Sequence, residues 1–171
     1  MFTLRAHGRP AHAGLEPEKG ANAIVEIARQ IAVIHAIADV SVGTTVNVTT
    51  IRGGTTTNVI PEHAECQIDV RFSTMNDATR VDAALRSLVS FDDRVNLELV
   101  GGINRPPLER TERVIALYEQ ARRVAGKLGF ELGETSVGGA SDANFAAAVG
   151  AAACGSVGPG HAARSFLGRS G

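Results

Sequence analysis

Apolar and polar positions alternate from the first residues. Phe2, Leu4 and Ala6 interleave with Thr3, Arg5 and His7, which predicts a strand. A Gly- and Pro-rich loop covers residues 8–17. Over residues 19–38, Ile24, Ile27, Ile31 and Ile34 recur at helical spacing, predicting an amphipathic helix. Residues 42–51 are dense in Val and Thr and read as a strand, and residues 53–58 read as a turn. The cleanest alternation lies at residues 64–72. Ala64, Cys66, Ile68, Val70 and Phe72 face one way, and Glu65, Gln67, Asp69 and Arg71 the other. Such a strand belongs to an antiparallel sheet with one polar face. Asn76-Asp77 offers a cap for a helix carrying Val81, Ala84, Leu85, Leu88 and Val89. Val95, Leu97 and Leu99 make a fourth strand before Gly101-Gly102. The order βαββαβ predicts an α+β, ferredoxin-like sandwich, with two helices on one face of four strands.

Asn104-Arg105-Pro106-Pro107 reads as a linker, so two segments are expected, 1–103 and 104–171. Thr111 caps a helix with Val114, Leu117, Ala121, Val124 and Leu128, ended by Gly129. A short helix is expected over 142–149 and an apolar stretch over 151–154. The remaining tail has neither period and is expected to be poorly ordered.

Composition narrows the function classes. Of 171 residues, 44% are hydrophobic and 20% charged, with net charge −1 from 17 basic and 18 acidic residues. That is the profile of a globular domain. The interspersed charge argues against nucleic acid or an anionic membrane as partner. No apolar run approaches the ~20 residues that cross a bilayer. The opening carries no charged-then-apolar leader, so a cytoplasmic location is expected. Two cysteines supply neither a disulfide framework nor a four-cysteine zinc site.

Few residues stand out for chemistry. His12 sits in the first loop, where it is either a solvent-exposed histidine or a donor to an oxyanion or proton carrier. His7, His35 and His63 are not grouped with other ligand types by the sequence. Asn58 holds a turn or offers an amide to a ligand. Arg71 is placed on the polar face by the alternation, either in a cross-strand ion pair or as a fork for a substrate carboxylate. Gly138-Gly139-Ala140-Ser141-Asp142-Ala143 lacks the Lys of a phosphate loop. Its likeness to a nucleophile elbow, with His161 following, lacks a later acid. A helix N-terminus with glycines allowing close approach of a ligand is the simplest account.

Four ordered motifs carry a resemblance. Gly8-Arg9-Pro10-Ala11-His12-Ala13-Gly14 is one, and Gly53-Gly54 through Asn58-Val59-Ile60-Pro61 is the next. Asp69-Val70-Arg71-Phe72 and Gly138-Gly139-Ala140-Ser141-Asp142-Ala143 complete the set. Together they resemble the zinc-dependent amidohydrolases and peptidases that include carboxypeptidase G, aminoacylase, acetylornithine deacetylase and succinyl-diaminopimelate desuccinylase. The resemblance runs from about residue 2 to about residue 155. It implies a dimerisation (lid) domain followed by part of an α/β catalytic domain.

It also implies roles. His12 would reach across a homodimer to steady the tetrahedral oxyanion in the partner's site. Asn58 and Arg71 would contact an N-acyl amino acid or small peptide, Arg71 at its carboxylate, and the backbone at Gly139 would line the pocket. His161 would stand near the last metal ligand of a two-zinc site, with Ser165 where an acid is expected. The family's H-x-D motif, bridging Asp and Glu-Glu pair would precede residue 1. The chain is therefore expected to be a fragment, inactive alone. Two readings compete with this one. The first is a non-catalytic ferredoxin-like module that dimerises or binds an amino acid, and the second is a serine hydrolase built on Ser141.

Overall fold

The computed structural model describes residues 1–104, 106–134, 142–149, 151 and 153. Four strands, β1 (Phe2–His7), β2 (Thr45–Gly53), β3 (His63–Arg71) and β4 (Asn96–Gly101), form one antiparallel sheet in the order β2-β3-β1-β4. Helices α1 (Ala23–His35) and α2 (Met75–Arg86) complete the βαββαβ order. With the central strands β1 and β3 antiparallel, this is the ferredoxin-like α+β sandwich that the periodicities predict. The described residues form two compact units. One is Met1–Arg71 with Thr79–Ile103, and the other is Phe72–Ala78 with the described residues from Asn104 onward.

In the first unit one sheet face is the core. Phe2, Leu4, Ala6, Ala64, Cys66, Ile68 and Val46 pack with Ile27 and Ile34 of α1 and Val81 and Leu85 of α2. Along β1 and from Ala64 to Ile68 of β3, every second residue is thus buried, as the pleat requires. Helix α1 begins later than residue 19, because Gly20 separates it from a 3₁₀ turn at Pro17–Lys19. Asn22 then caps it, its side chain accepting from the amides of Ile24 and Val25. Strand β2 starts at Thr45, since Val40–Val42 closes as a 3₁₀ turn ended by Gly43 at φ 78°. A bulge between Val48 and Thr50 shifts its register on β3. Its outer half is exposed, as on an edge strand with no neighbour.

In the second unit the start of α2 is set by Thr74, not by Asn76-Asp77. The Asp77 amide donates to Thr74 Oγ1 at 3.1 Å, and that hydroxyl donates to Asp77 Oδ2 at 2.9 Å. This is a reciprocal cap of the capping-box type. Thr111 caps α3 (Glu112–Lys127) as predicted. Val114 and Tyr118 pack with Leu132, whose carbonyl accepts from Tyr118 Oη at 2.9 Å. Helix α4 (Asp142–Ala148) lies within the expected span. Gly139, Ser141, His161 and the tail expected to be poorly ordered lie outside the described residues.

Candidate functional site

Backbone geometry builds the first loop before any side chain is placed. The Gly8 amide donates to the Glu62 carbonyl at 2.7 Å. A Cβ on Gly8 would lie 2.0 Å from the Ala21 carbonyl oxygen, so only glycine lets the two backbones meet there. Gly20 is similar, its absent Cβ leaving room for Ile60 and Ala11. Arg9 and Ala21 exchange backbone hydrogen bonds of 2.9 Å, which closes the loop at its base. The loop then docks on the segment that follows β2. The Ala13 amide donates to the Asn58 carbonyl and the Ile60 amide to the Ala11 carbonyl, both at 2.9 Å.

The orientation of His12 follows from that frame. Its Nδ1 accepts from the amides of Gly14 and Leu15, both at 3.2 Å. A ring nitrogen that accepts two N–H groups holds no proton in the neutral ring, so the proton sits on Nε2. His12 is exposed, so this N–H is available to an acceptor outside the loop. Asn58 is exposed too, and its Oδ1 accepts from the Thr56 hydroxyl at 3.2 Å. The structure therefore brings His12 and Asn58 together through their backbones.

Arg71 is elsewhere. It ends β3 while His63 begins it, and eight residues of strand span roughly 27 Å. Its Nε and Nη2 donate to the two Asp69 carboxylate oxygens at 2.8 and 3.0 Å. The ion pair is thus with a neighbour on the same strand, where the sequence reading weighed a cross-strand one. The bidentate fork is formed, and the pair is largely exposed.

The loop is also tethered from behind. Buried Glu26 on α1 accepts from Gln30 Nε2 at 2.8 Å and from the amides of Phe91 and Asp92 at 3.1–3.3 Å. Asp92 in turn grips Arg94 through Nε and Nη2, and Arg94 Nη1 donates to the Glu18 carbonyl at 3.0 Å. The Arg94 hydrogen bonds hold the Asp92 carboxyl down to about 2.

The outer sheet face carries what the sequence reading missed. Register places Arg52, Glu65, Arg5 and Glu98 in one row across all four strands. The next row sets His63 beside His7. Strand pairing over long sequence separations makes these neighbours, and alternation alone signals only the face. A cavity of about 400 Å³ opens here, lined by Arg5, His7, Arg52, Thr55, Glu62 and His63 among others. Among the described residues no three ligand-type side chains converge on a metal position. They do not make up the two-zinc site that the resemblance implies. Nor is any helix of the described residues long and apolar enough to cross a membrane.

The first unit is thus a ferredoxin-like sandwich with edge strands β2 and β4 and a loop that presents His12. Residues 1–94 match the family model described as peptidase dimerisation domain, and the chain belongs to that family. It is 42% identical over 69 residues to a p-aminobenzoyl-glutamate hydrolase homolog of Haemophilus influenzae, a match covering 40% of this chain and 16% of that one. It is 30% identical over 149 residues to carboxypeptidase G2 of Pseudomonas sp., covering 84% and 35%. Aminopeptidase PepT from Bacillus cereus superposes with TM-score 0.65 at 25% identity, covering 97% of this chain and 42% of that structure. The chain thus spans less than half the length of each of these hydrolases.

Proposed function

We propose that this chain serves a zinc-dependent amidohydrolase of the carboxypeptidase type, as its lid and part of its catalytic domain. The bond cleaved is the amide of an N-acyl amino acid or small peptide with a free carboxylate. The observation that carries this reading is the fixed tautomer of His12. Two backbone amides hold Nδ1 as an acceptor, so Nε2–H is set in advance as a donor to an oxyanion, the arrangement that stabilises an acyl-transfer transition state. Asn58 supplies an amide beside it, and Arg71 exchanges Asp69 for the substrate carboxylate.

The separation of His12 from Arg71 along β3 supports a site shared between two copies, with His12 serving its partner. Edge strand β2 and the exposed Ile24, Val25 and Val33 of α1 give a pairing surface. Gly139 lines the pocket and His161 stands near a zinc position in this reading, and the 171 residues alone are inactive.

Two measurements on the purified chain test it. Light scattering is expected to show a dimer, and a strict monomer at high micromolar concentration overturns the pairing. No N-acyl amino acid is expected to be hydrolysed, and chelator-sensitive turnover overturns the assignment of a partial site.

A further inference from the structure

Two histidines separated by 56 residues of chain meet on the outer face of the sheet. His7 on β1 and His63 on β3 are direct register partners. Their rings stand edge to face, centroids 5.3 Å apart at 79°, and their Nδ1 atoms are 3.3 Å apart. The other nitrogen of each ring faces a carboxylate. His7 Nε2 lies 3.5 Å from Glu98 Oε2, and His63 Nε2 lies 3.9 Å from Glu62 Oε1.

Those carboxylates decide where the ring protons sit. A carboxylate accepts only, and its charge favours the tautomer with N–H on the nearer Nε2. That frees Nδ1 when a cation takes the place of the proton shared across the 3.3 Å gap. Both Nδ1 lone pairs then point into the same gap. Two acceptors facing each other at this distance repel unless something positive lies between them.

The gap has the dimensions of a metal bite. Two Zn–N bonds of about 2.0–2.1 Å meeting at the tetrahedral angle hold their nitrogens about 3.3–3.4 Å apart. A carboxylate beside the second nitrogen of a metal-bound imidazole is the usual supporting arrangement, and here one stands within ion-pair distance of each ring, at 3.5 and 3.9 Å. Glu62, Glu65 and Glu98 outnumber Arg5 and Arg52 around the pair, which favours a cation. The adjoining cavity of about 400 Å³ has room for water in the remaining coordination positions.

We propose that His7 and His63 bind one divalent transition-metal ion of the zinc class through their Nδ1 atoms, with water completing the shell. Imidazole nitrogens select such ions over magnesium and calcium, which prefer oxygen. The ion would clamp the end of β1 to the start of β3. That is the point from which the His12 loop departs, where the Gly8 amide bonds Glu62. The proposal does not depend on the hydrolytic reading.

The test is a zinc chloride titration of the ¹⁵N-labelled full chain, following the histidine ring nitrogens by NMR, with magnesium chloride as control. The Nδ1 signals of His7 and His63 should shift together and saturate at one equivalent, with magnesium inert. His7→Gln and His63→Gln should each abolish the shift of the remaining partner while melting as the parent does. Glu98→Gln should weaken binding about tenfold or more, since outer-shell partners carry factors of this order. The proposal is overturned if zinc leaves both Nδ1 signals in place, as it would if one proton alone fills the gap. Equal zinc shifts of the remaining ring in the two single-histidine variants overturn it as well.

Discussion

His12 pairs with Val59 as an isolated antiparallel bridge, which joins the loop carrying the histidine to the segment carrying Asn58. Two backbone hydrogen bonds of 2.9 Å flank that bridge. The donor nitrogen of His12 is therefore positioned by main-chain geometry and not by side-chain packing, and mutations can separate its chemistry from the fold.

Replacing His12 by Ala should lower kcat of a complete enzyme carrying this lid by about 10²–10³-fold, the usual cost of losing one oxyanion donor. KM and melting temperature should change little, because the ring is exposed. A matched loss of stability would assign His12 to the fold. In the isolated chain, ¹⁵N NMR should find the Nε2–H tautomer.

Arg71→Lys keeps the charge and loses the fork. In the complete enzyme it should raise KM for substrates with a free carboxylate. Because the Asp69 pair is largely exposed, its loss should cost no more than about 1 kcal/mol of stability. Thermal melts that fall steeply with KM unchanged would make its role structural.

Glu26→Ala should be among the costly substitutions. It leaves the part-buried Phe91 and Asp92 amides without their acceptor and the buried Gln30 amide with the Val89 carbonyl alone. The expected loss is about 2–4 kcal/mol, read by urea denaturation. Lys19→Ala, at an exposed pair with Glu16, should stay within about 0.5 kcal/mol of the parent.

Gly8→Ala should disturb the loop directly, since its methyl group would meet the Ala21 carbonyl at 2.0 Å. A destabilisation of about 1–3 kcal/mol is expected. Faster hydrogen exchange at Arg9, Ala13 and Ala21 should accompany it, and protection equal to the parent would show that the close approach is dispensable.

Asp92 sets an acid limit. Arg94 depresses its folded-state carboxyl to about 2, below the ~3.9 of an unfolded Asp. The stabilisation is fully present above the unfolded value and lost as pH falls through the folded one. Stability should therefore decline between about pH 4 and pH 2. Arg94→Gln should flatten this decline, and an unchanged slope would exclude the pair as its source.

The linear pattern was enough for the element order, the core-facing side of β1 and β3, and the cap at Thr111. These depend on side-chain period and on neighbours within one turn, which a linear pattern records directly. It also marked His12, Asn58 and Arg71 as candidates, through motifs local to each loop or strand. Which of them meet depends on how the chain folds back on itself. The docking of residues 11–13 on 58–60 united His12 with Asn58, while the length of β3 set Arg71 apart. Strand register, fixed by which apolar face each strand must bury, brought His7 to His63 and lined up Arg52, Glu65, Arg5 and Glu98. No spacing along the chain encodes such pairs, because antiparallel pairing joins residues whose sequence separation changes at every step of the ladder.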